Sequence, residues 1–514
     1  DGEVQAAAST GKVCRFYVSG QVASCRFGSK CRFVHGTSAD SDHSPASSLN
    51  HSSAQMSCAS TRRDRTKPTT NMRLGSKISP FVIGTCLDMC PEVERTRRQR
   101  EGSIMTVERE HASLPGQTLQ QLMVKQYSRS AAGDEVLQAS EVRPPSVLLK
   151  TALYLCTHVL DLDQNRQSDP RWRDDRRKLS KRPSLVGDLE VFISDRFRMI
   201  EKDLAVQGFS ASGFKVNHSA IRCFEMAVRY HLLMSYECRK ASTADFDPVL
   251  NWTIMRNYAS SLHNLYMHAR RSCDEATAQL WCCNEDRMRS YIFLSRLPAP
   301  GTRGPEVQIS IEAGIAMNIQ TMLTQLAGQC PEVLQGPRVR AAINAIEAFC
   351  SNDYAAFFSL VRHERTDPLF LSALYSQFTR IRIRALNAVN RAYRGRFRTS
   401  TLVSLLGCNS GLEAMDICEA AGLQTRAKKH ADVAPTDSAA AAIAERDVVL
   451  NHREKVYLRE ERHNQLKCLS LPAIDGEIQE HRRSSLVVGA RFKDLRHPIC
   501  VELKTDENSS FAFV

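Results

Sequence analysis

Four residues near the start of the chain carry the clearest chemistry. Cys14, Cys25, Cys31 and His35 follow one another with ten, five and three intervening residues. Three thiolates and one imidazole are a donor set that Zn2+ takes in a closed tetrahedral site. A stretch this short cannot bury a core, so bound metal would supply its folding energy. A chance gathering of thiols beside a histidine is the competing reading. One Zn2+ ion, held by these four residues, is the expectation for a small unit spanning 8–37.

The residues between the ligands add a second chemistry. Phe16, Tyr17, Phe27 and Phe33 alternate with Arg15, Arg26, Lys30 and Arg32. Some of the rings must cover the metal, but a unit with almost no interior cannot bury them all. Interleaved flat and cationic side chains suit unstacked single-stranded bases, with rings stacking and cations meeting phosphates. The segment resembles the CCCH zinc-finger class, closely so in its second half, CRFGSKCRFVH, although the first gap is longer than that class usually has. The resemblance implies binding of single-stranded RNA. Contact with a protein is the other use of such a finger.

The rest of the chain must position these groups and build whatever else the protein uses. Its 514 residues are enough for two or three domains, and the 42% hydrophobic content is that of a globular protein. With 69 Lys and Arg against 56 Asp and Glu, the net charge of +13 favours a polyanion such as nucleic acid or an acidic protein subunit, unless it is only a solvated basic surface. Most of the 18 cysteines stand singly, as at Cys156, Cys223, Cys238 and Cys350, the pattern of reduced thiols and not of a secreted framework. No signal peptide and no apolar run long enough to insert in a bilayer are read. The chain opens on Asp1 and not on Met, so residues before it are expected. Nucleotide loops, a nucleophile elbow and HExxH are absent, which disfavours an enzyme.

Residues 38–79 are polar and end in Arg62, Arg63, Arg65 and Lys67, the composition of a disordered basic tether. Residues 84–95 then read GTCLDMCPEVER, with Cys86 and Cys90 as C-x-x-x-C. Taken alone the pair is half a metal site, a redox pair or a packed turn. The motif is similar to the opening signature of the Sac-three/GANP family, with Leu87 where that family usually has proline. VKQYSRSAAGDE (Val124–Glu135), RPPSVLLKTALYL (Arg143–Leu155), FISDRFRMIEKDL (Phe192–Leu204), AVRYHLL (Ala227–Leu233), NEDRMRSYIFL (Asn284–Leu294) and SNDYAAFFSL (Ser351–Leu360) follow in the family's order. The resemblance implies a mainly α fold: a helical-repeat PCI-like arm over 80–395, ending in a winged helix within 396–514. It implies a nuclear scaffold that couples transcription to mRNA export or processing, with association at the nuclear pore. The partners implied are mRNA, a second PCI protein and a small acidic subunit. A centrosome or spindle scaffold is a competing role. So is a PCI subunit of a proteasome-lid or translation-initiation assembly. Asp195, Arg196, Arg198 and Asp203 lie at helical spacing with opposite signs, which fits paired charges fixing helix packing better than a partner patch.

Apolar residues recur at three and four positions in 185–206, 219–239, 248–271, 276–295, 311–325, 338–362 and 368–394, which predicts a series of helices. A polar insert at 163–183 reads as a basic loop. At about 100° per residue, Arg384, Arg391 and Arg394 fall within about 40° of Arg380 on one helix face. Phe378, Ala385, Val389 and Ala392 gather opposite. The four arginines form a candidate nucleic-acid ridge, while Arg382 points to the apolar side and needs an internal partner. Ser410 and Glu413 spell a capping box, and Gly422 a helix stop. Strands for the wing are expected at Ser485–Phe492 and Pro498–Leu503, with a charged helical insertion at about 426–467.

Overall fold

The computed structural model describes residues 81–111, 118–128, 138–161, 185–210, 215–241, 246–300, 305–363, 367–427, 446–450, 483–484 and 486–488. The metal-ligand set, its aromatic and basic filling, the tether and the insert at 163–183 lie outside the described residues.

The opening motif is a knot of backbone and charge. Gly84 donates its N–H to Gln207 Oε1 at 3.2 Å, and Cys86 donates to the Val142 carbonyl at 3.0 Å. A Cβ at Gly84 would stand 2.6 Å from that carbonyl oxygen, so the close approach requires glycine. The Met89 carbonyl accepts from the Lys125 N–H at 3.0 Å and from Arg143 Nη1 at 3.1 Å. Cys90 is wholly buried, and desolvation pushes its thiol up to about 12; burial also raises Cys86. With both side chains buried and the backbone on either side bonded to Val142, Lys125 and Arg143, the pair packs as a turn.

Helix α1 (Glu92–Arg100) follows, with acids in its first turn and arginines in its last, the order its dipole favours. Then come α2 (Thr106–His111), α3 (Leu119–Leu122) and α4 (Pro145–Tyr154), the last running into a π turn at Leu155–Val159. The long helices α5 (Leu185–Val206), α6 (His218–Lys240) and α7 (Pro248–Ser272) form the body of the arm. Helix α6 is buried almost all round, packed by α4, α5, α7 and the later α14 (Pro368–Tyr375). Between α7 and α14 lie α8 (Glu275–Trp281), α9 (Glu285–Leu294), α10 (Pro305–Gln329), α11 (Pro331–Leu334), α12 (Pro337–Cys350) and α13 (Tyr354–His363). Three segments that read as continuous helices are broken, at 282–284, 351–353 and 376–377. The middle break places Asn352 at φ 60°, a left-handed conformation that asparagine tolerates.

Charge is buried throughout this arm, much of it in ion pairs. Asp203 receives Arg143 Nε at 2.7 Å and Lys125 Nζ at 2.9 Å. Glu108 accepts from Arg98 and lies 3.4 Å from Arg196, which also pairs with Asp195. Arg198 stacks on the Tyr127 ring at 4.1 Å. The four residues at helical spacing thus fix α5 against Glu108, Lys125, Tyr127 and Arg143, the packing role expected of them.

Helix α15 (Phe378–Ala392) joins two cores. Phe378 and Ile381 belong to the main one, whereas Ala385, Leu386 and Val389 belong to a second. The second core continues through β1 (Gly395–Arg398), α16 (Thr399–Leu405), α17 (Gly411–Ala420), β2 (Gln424–Ala427) and β3 (Arg446–Leu450). The three strands form an antiparallel sheet in the order β1-β3-β2, with Phe397 opposite Val448 and Val448 opposite Thr425. Two expectations are corrected here. Residues 486–488, expected in a strand over Ser485–Phe492, are helical and bury Val487 and Val488 in the main core, while 485 and 489–514 lie outside the described residues. A short apolar run cannot by itself distinguish a strand from a buried helical turn. Within 426–467, β2 and β3 replace the start and the middle of the expected helix, the paired valines of RDVVL favouring extended backbone.

Candidate nucleic-acid interface

Between Pro368 and Leu412 the sequence holds seven arginines and no Asp or Glu. How these cations divide between interior and surface decides what the region can do. Arg382 is the internal one. Its Nη2 meets Glu413 Oε1 at 2.7 Å, and its guanidinium also donates to the carbonyls of Leu406 at 2.9 Å and Gly407 at 3.0 Å. Those carbonyls close the end of α16, so a buried cation caps the helix and satisfies its own donors together. The Phe378 ring lies 5.2 Å from the guanidinium. Gly407 makes the turn at φ 59°, where a Cβ would come within 2.3 Å of the Phe358 ring.

Glu413 is held in turn by the cap it belongs to. Ser410 Oγ accepts the Glu413 N–H at 3.2 Å, as its capping-box spacing predicts. The carboxylate reaches back to the Asn409 N–H at 2.7 Å. Helix α17 ends with Gly422 at φ 86°, with Leu423 N–H bonded to the Cys418 carbonyl at 2.9 Å and Gly422 N–H to that of Glu419 at 3.0 Å. This is the glycine stop read from the sequence, closing as a Schellman motif.

The expected ridge divides in two. Arg380 and Arg384 are half-buried: Arg380 donates to Gln377 Oε1 at 3.1 Å, and Arg384 donates to the Phe349 carbonyl at 2.8 Å with its guanidinium 4.7 Å over the Phe349 ring. Those two serve packing. Arg391 and Arg394 are exposed, and Arg394 lies beyond the last helical residue, where helix arithmetic no longer places it. Ala392, expected on the apolar side, is exposed as well.

The exposed pair gains companions that helical reasoning missed. Backbone is extended from Tyr393 into β1, and alternate residues of a strand face opposite ways. Phe397 packs inward on the second core, which leaves Arg396 and Arg398 exposed on the other face. Tyr393 stands 55% exposed on the Phe397 side, its ring edge-on to Phe397 at 5.3 Å. The signal was present as R-x-R-x-R at 394–398, a period of two that marks a strand and not a helix. In register, Asp447 of β3 lies between Arg398 and Arg426 of β2. Arg394, Arg396 and Arg398 on one face of the strand, with exposed Arg391 before them, can meet successive phosphates, and the exposed Tyr393 ring on the Phe397 side is open to a base.

Among the described residues no group of three or more His, Cys, Asp or Glu is placed to hold a metal, and no helix is long and apolar enough to cross a membrane.

Comparison with known proteins gives two family matches. A profile of the SAC3/GANP family matches residues 89–427, and a profile of the CCCH-type zinc finger matches residues 12–36. The chain is 27% identical over 360 residues to Protein xmas of Drosophila melanogaster, a stretch covering 68% of this chain and 15% of that protein. It is 28% identical over 314 residues to SAC3 family protein 1 of Schizosaccharomyces pombe, covering 60% and 27% respectively. SAC3 family protein B of Arabidopsis thaliana is 27% identical over 351 residues, covering 67% of this chain and 17% of the relative. The chain therefore matches well under a third of the length of each of these relatives.

Proposed function

Because the chain belongs to the SAC3/GANP family and carries a CCCH-type zinc finger, we propose that it is a nuclear RNA-binding scaffold coupling transcription to mRNA export or processing. The role is that of a scaffold and not of an enzyme. The observation that carries the RNA reading is the exposed set Arg391, Arg394, Arg396 and Arg398 with Tyr393, in an acid-free stretch of chain. The finger supplies a second contact: Cys14, Cys25, Cys31 and His35 hold one Zn2+, Phe16, Tyr17, Phe27 and Phe33 stack bases, and Arg15, Arg26, Lys30 and Arg32 meet phosphates. Two modest RNA sites on one chain gain by effective concentration.

We read the second core as the winged helix of a PCI-type arm. Its helix–strand–helix–helix–strand–strand order, α15-β1-α16-α17-β2-β3, supports this. A second PCI protein paired through this module and a small acidic subunit are the proposed protein partners, with the nuclear pore as the proposed place of action.

The test is RNA crosslinking in cells, comparing the native chain with Cys25→Ser/Cys31→Ser, with the four arginines changed to Ser, and with both sets combined. Each single set should lower crosslinked RNA and the combination should abolish it, while depletion of the protein retains polyadenylated RNA in nuclei. Absence of crosslinks together with centrosomal localisation would replace this reading with a cytoskeletal one.

A further inference from the structure

The described residues of 483–488, which overlap the strand expected at Ser485–Phe492, dock on the arm, and the way they are held has the character of a binding site. Residues 483, 484 and 486–488 are helical. An isolated helical turn leaves its first N–H groups and last carbonyls without intrahelical partners, and is costly to nucleate. Here both ends find them in the arm. The Ser484 N–H donates to Asp161 Oδ1 at 3.2 Å. Arg229 Nη1 donates to the carbonyls of Val487 at 3.0 Å and Val488 at 2.8 Å. A carboxylate at the amino end and a guanidinium at the carboxyl end match the dipole of the turn.

Side chains reinforce the grip. Arg483 Nη2 pairs with Glu237 at 2.8 Å, both groups buried. Val487 is wholly buried and Val488 nearly so, and Leu486 packs against the same main core. Arg229 and Glu237 stand eight residues apart on α6, about two turns, so one helix face presents both charges. Asp161 is positioned by the π turn after α4. Arg229 is fully buried and uses its Nη2 on Glu225 at 2.8 Å, so the tail carbonyls are what its Nη1 meets.

We propose that Asp161, Arg229 and Glu237 form a docking socket for one helical turn of the pattern Arg-Ser-x-Leu-Val-Val, and that the chain fills it with its own residues 483–488. The occupant is a peptide, so the site is independent of the RNA contacts. It latches the segment beyond β3 back onto α6. The same socket accepts this peptide in trans once the native tail is removed from it.

The test uses the full chain. In Val487→Asp/Val488→Asp the tail cannot occupy the socket, and a fluorescent peptide of residues 479–492 should bind this variant and not the wild type. Adding Glu237→Arg should abolish binding, and an Arg483→Glu peptide should restore it. Amide exchange of the wild-type chain supplies a measurement free of any folding defect: the amides of residues 484–488 should be slowed, and Glu237→Arg should speed them. Fast exchange of these amides in the wild type overturns the proposal, as does peptide binding that is equal in wild type and variant or indifferent to the charge exchange.

Discussion

Changing Arg391, Arg394, Arg396 and Arg398 together to Ser tests the division of the arginines most sharply. All four are exposed. Surface substitutions of this kind ordinarily change stability by about 0.5 kcal/mol or less each, so the variant should fold. Each phosphate contact on a single strand contributes about 0.7 to the slope of log K against log salt, so losing four contacts lowers the slope by about 2.8. Between about 50 and about 200 mM salt, log salt changes by about 0.6, so the wild type should lose about 50-fold more affinity than the variant over that range. Fluorescence anisotropy with labelled oligouridylate measures this, in a chain already carrying Cys25→Ser/Cys31→Ser so that the finger contributes equally to both. Arg380→Gln/Arg384→Gln is the contrasting variant. Those side chains are engaged with Gln377 and with the carbonyl and ring of Phe349. It should leave the slope unchanged and cost about 2 kcal/mol of stability, from a charged hydrogen bond and a cation–π contact. An unchanged slope in the quadruple variant, or a drop in slope confined to the Arg380/Arg384 variant, refutes the assignment.

Asp203→Asn leaves two buried cations, Lys125 and Arg143, without their counter-charge. A loss of about 3–5 kcal/mol in denaturant titration is expected. Gly84→Ala drives a methyl against the Val142 carbonyl, 2.6 Å from the ideal Cβ position, and should cost about 1–3 kcal/mol in thermal unfolding. Acid should weaken the fold through two histidines whose pKa burial lowers, His231 to about 4 and His263, also opposed by Arg289, to about 3. Their folded values lie below the unfolded one, so their contribution is complete above pH about 6.5 and falls as pH drops toward 4, by up to about 1.4 kcal/mol per pH unit for each. Glu190, raised by burial to about 7, acts in the opposite sense between its unfolded value and 7, so the loss should be steepest below about pH 4.5. Denaturant midpoints from pH 7 to 4 measure it, and His231→Gln should flatten the profile.

Sequence by itself determined the features set by local rules. Ligand types and spacing name the finger, because a tetrahedral metal needs only a few residues close in the chain. Apolar periodicity located the helices of the arm, and Ser410, Glu413 and Gly422 marked the ends of α17, because caps are decided within one turn. The need of Arg382 for an internal partner was legible too, although its identity as Glu413, thirty-one residues away, was not. Tertiary structure alone decided what depends on distant neighbours. Whether Arg384 faces solvent depends on where α12 places Phe349, and whether α15 continues to Arg394 depends on β3 pairing with Gly395. The run Leu486–Val488 reads equally well as strand or helical turn. It became a turn in the main core because Asp161 and Arg229, brought together only by the folding of α4 onto α6, satisfy the two ends that a lone turn leaves open.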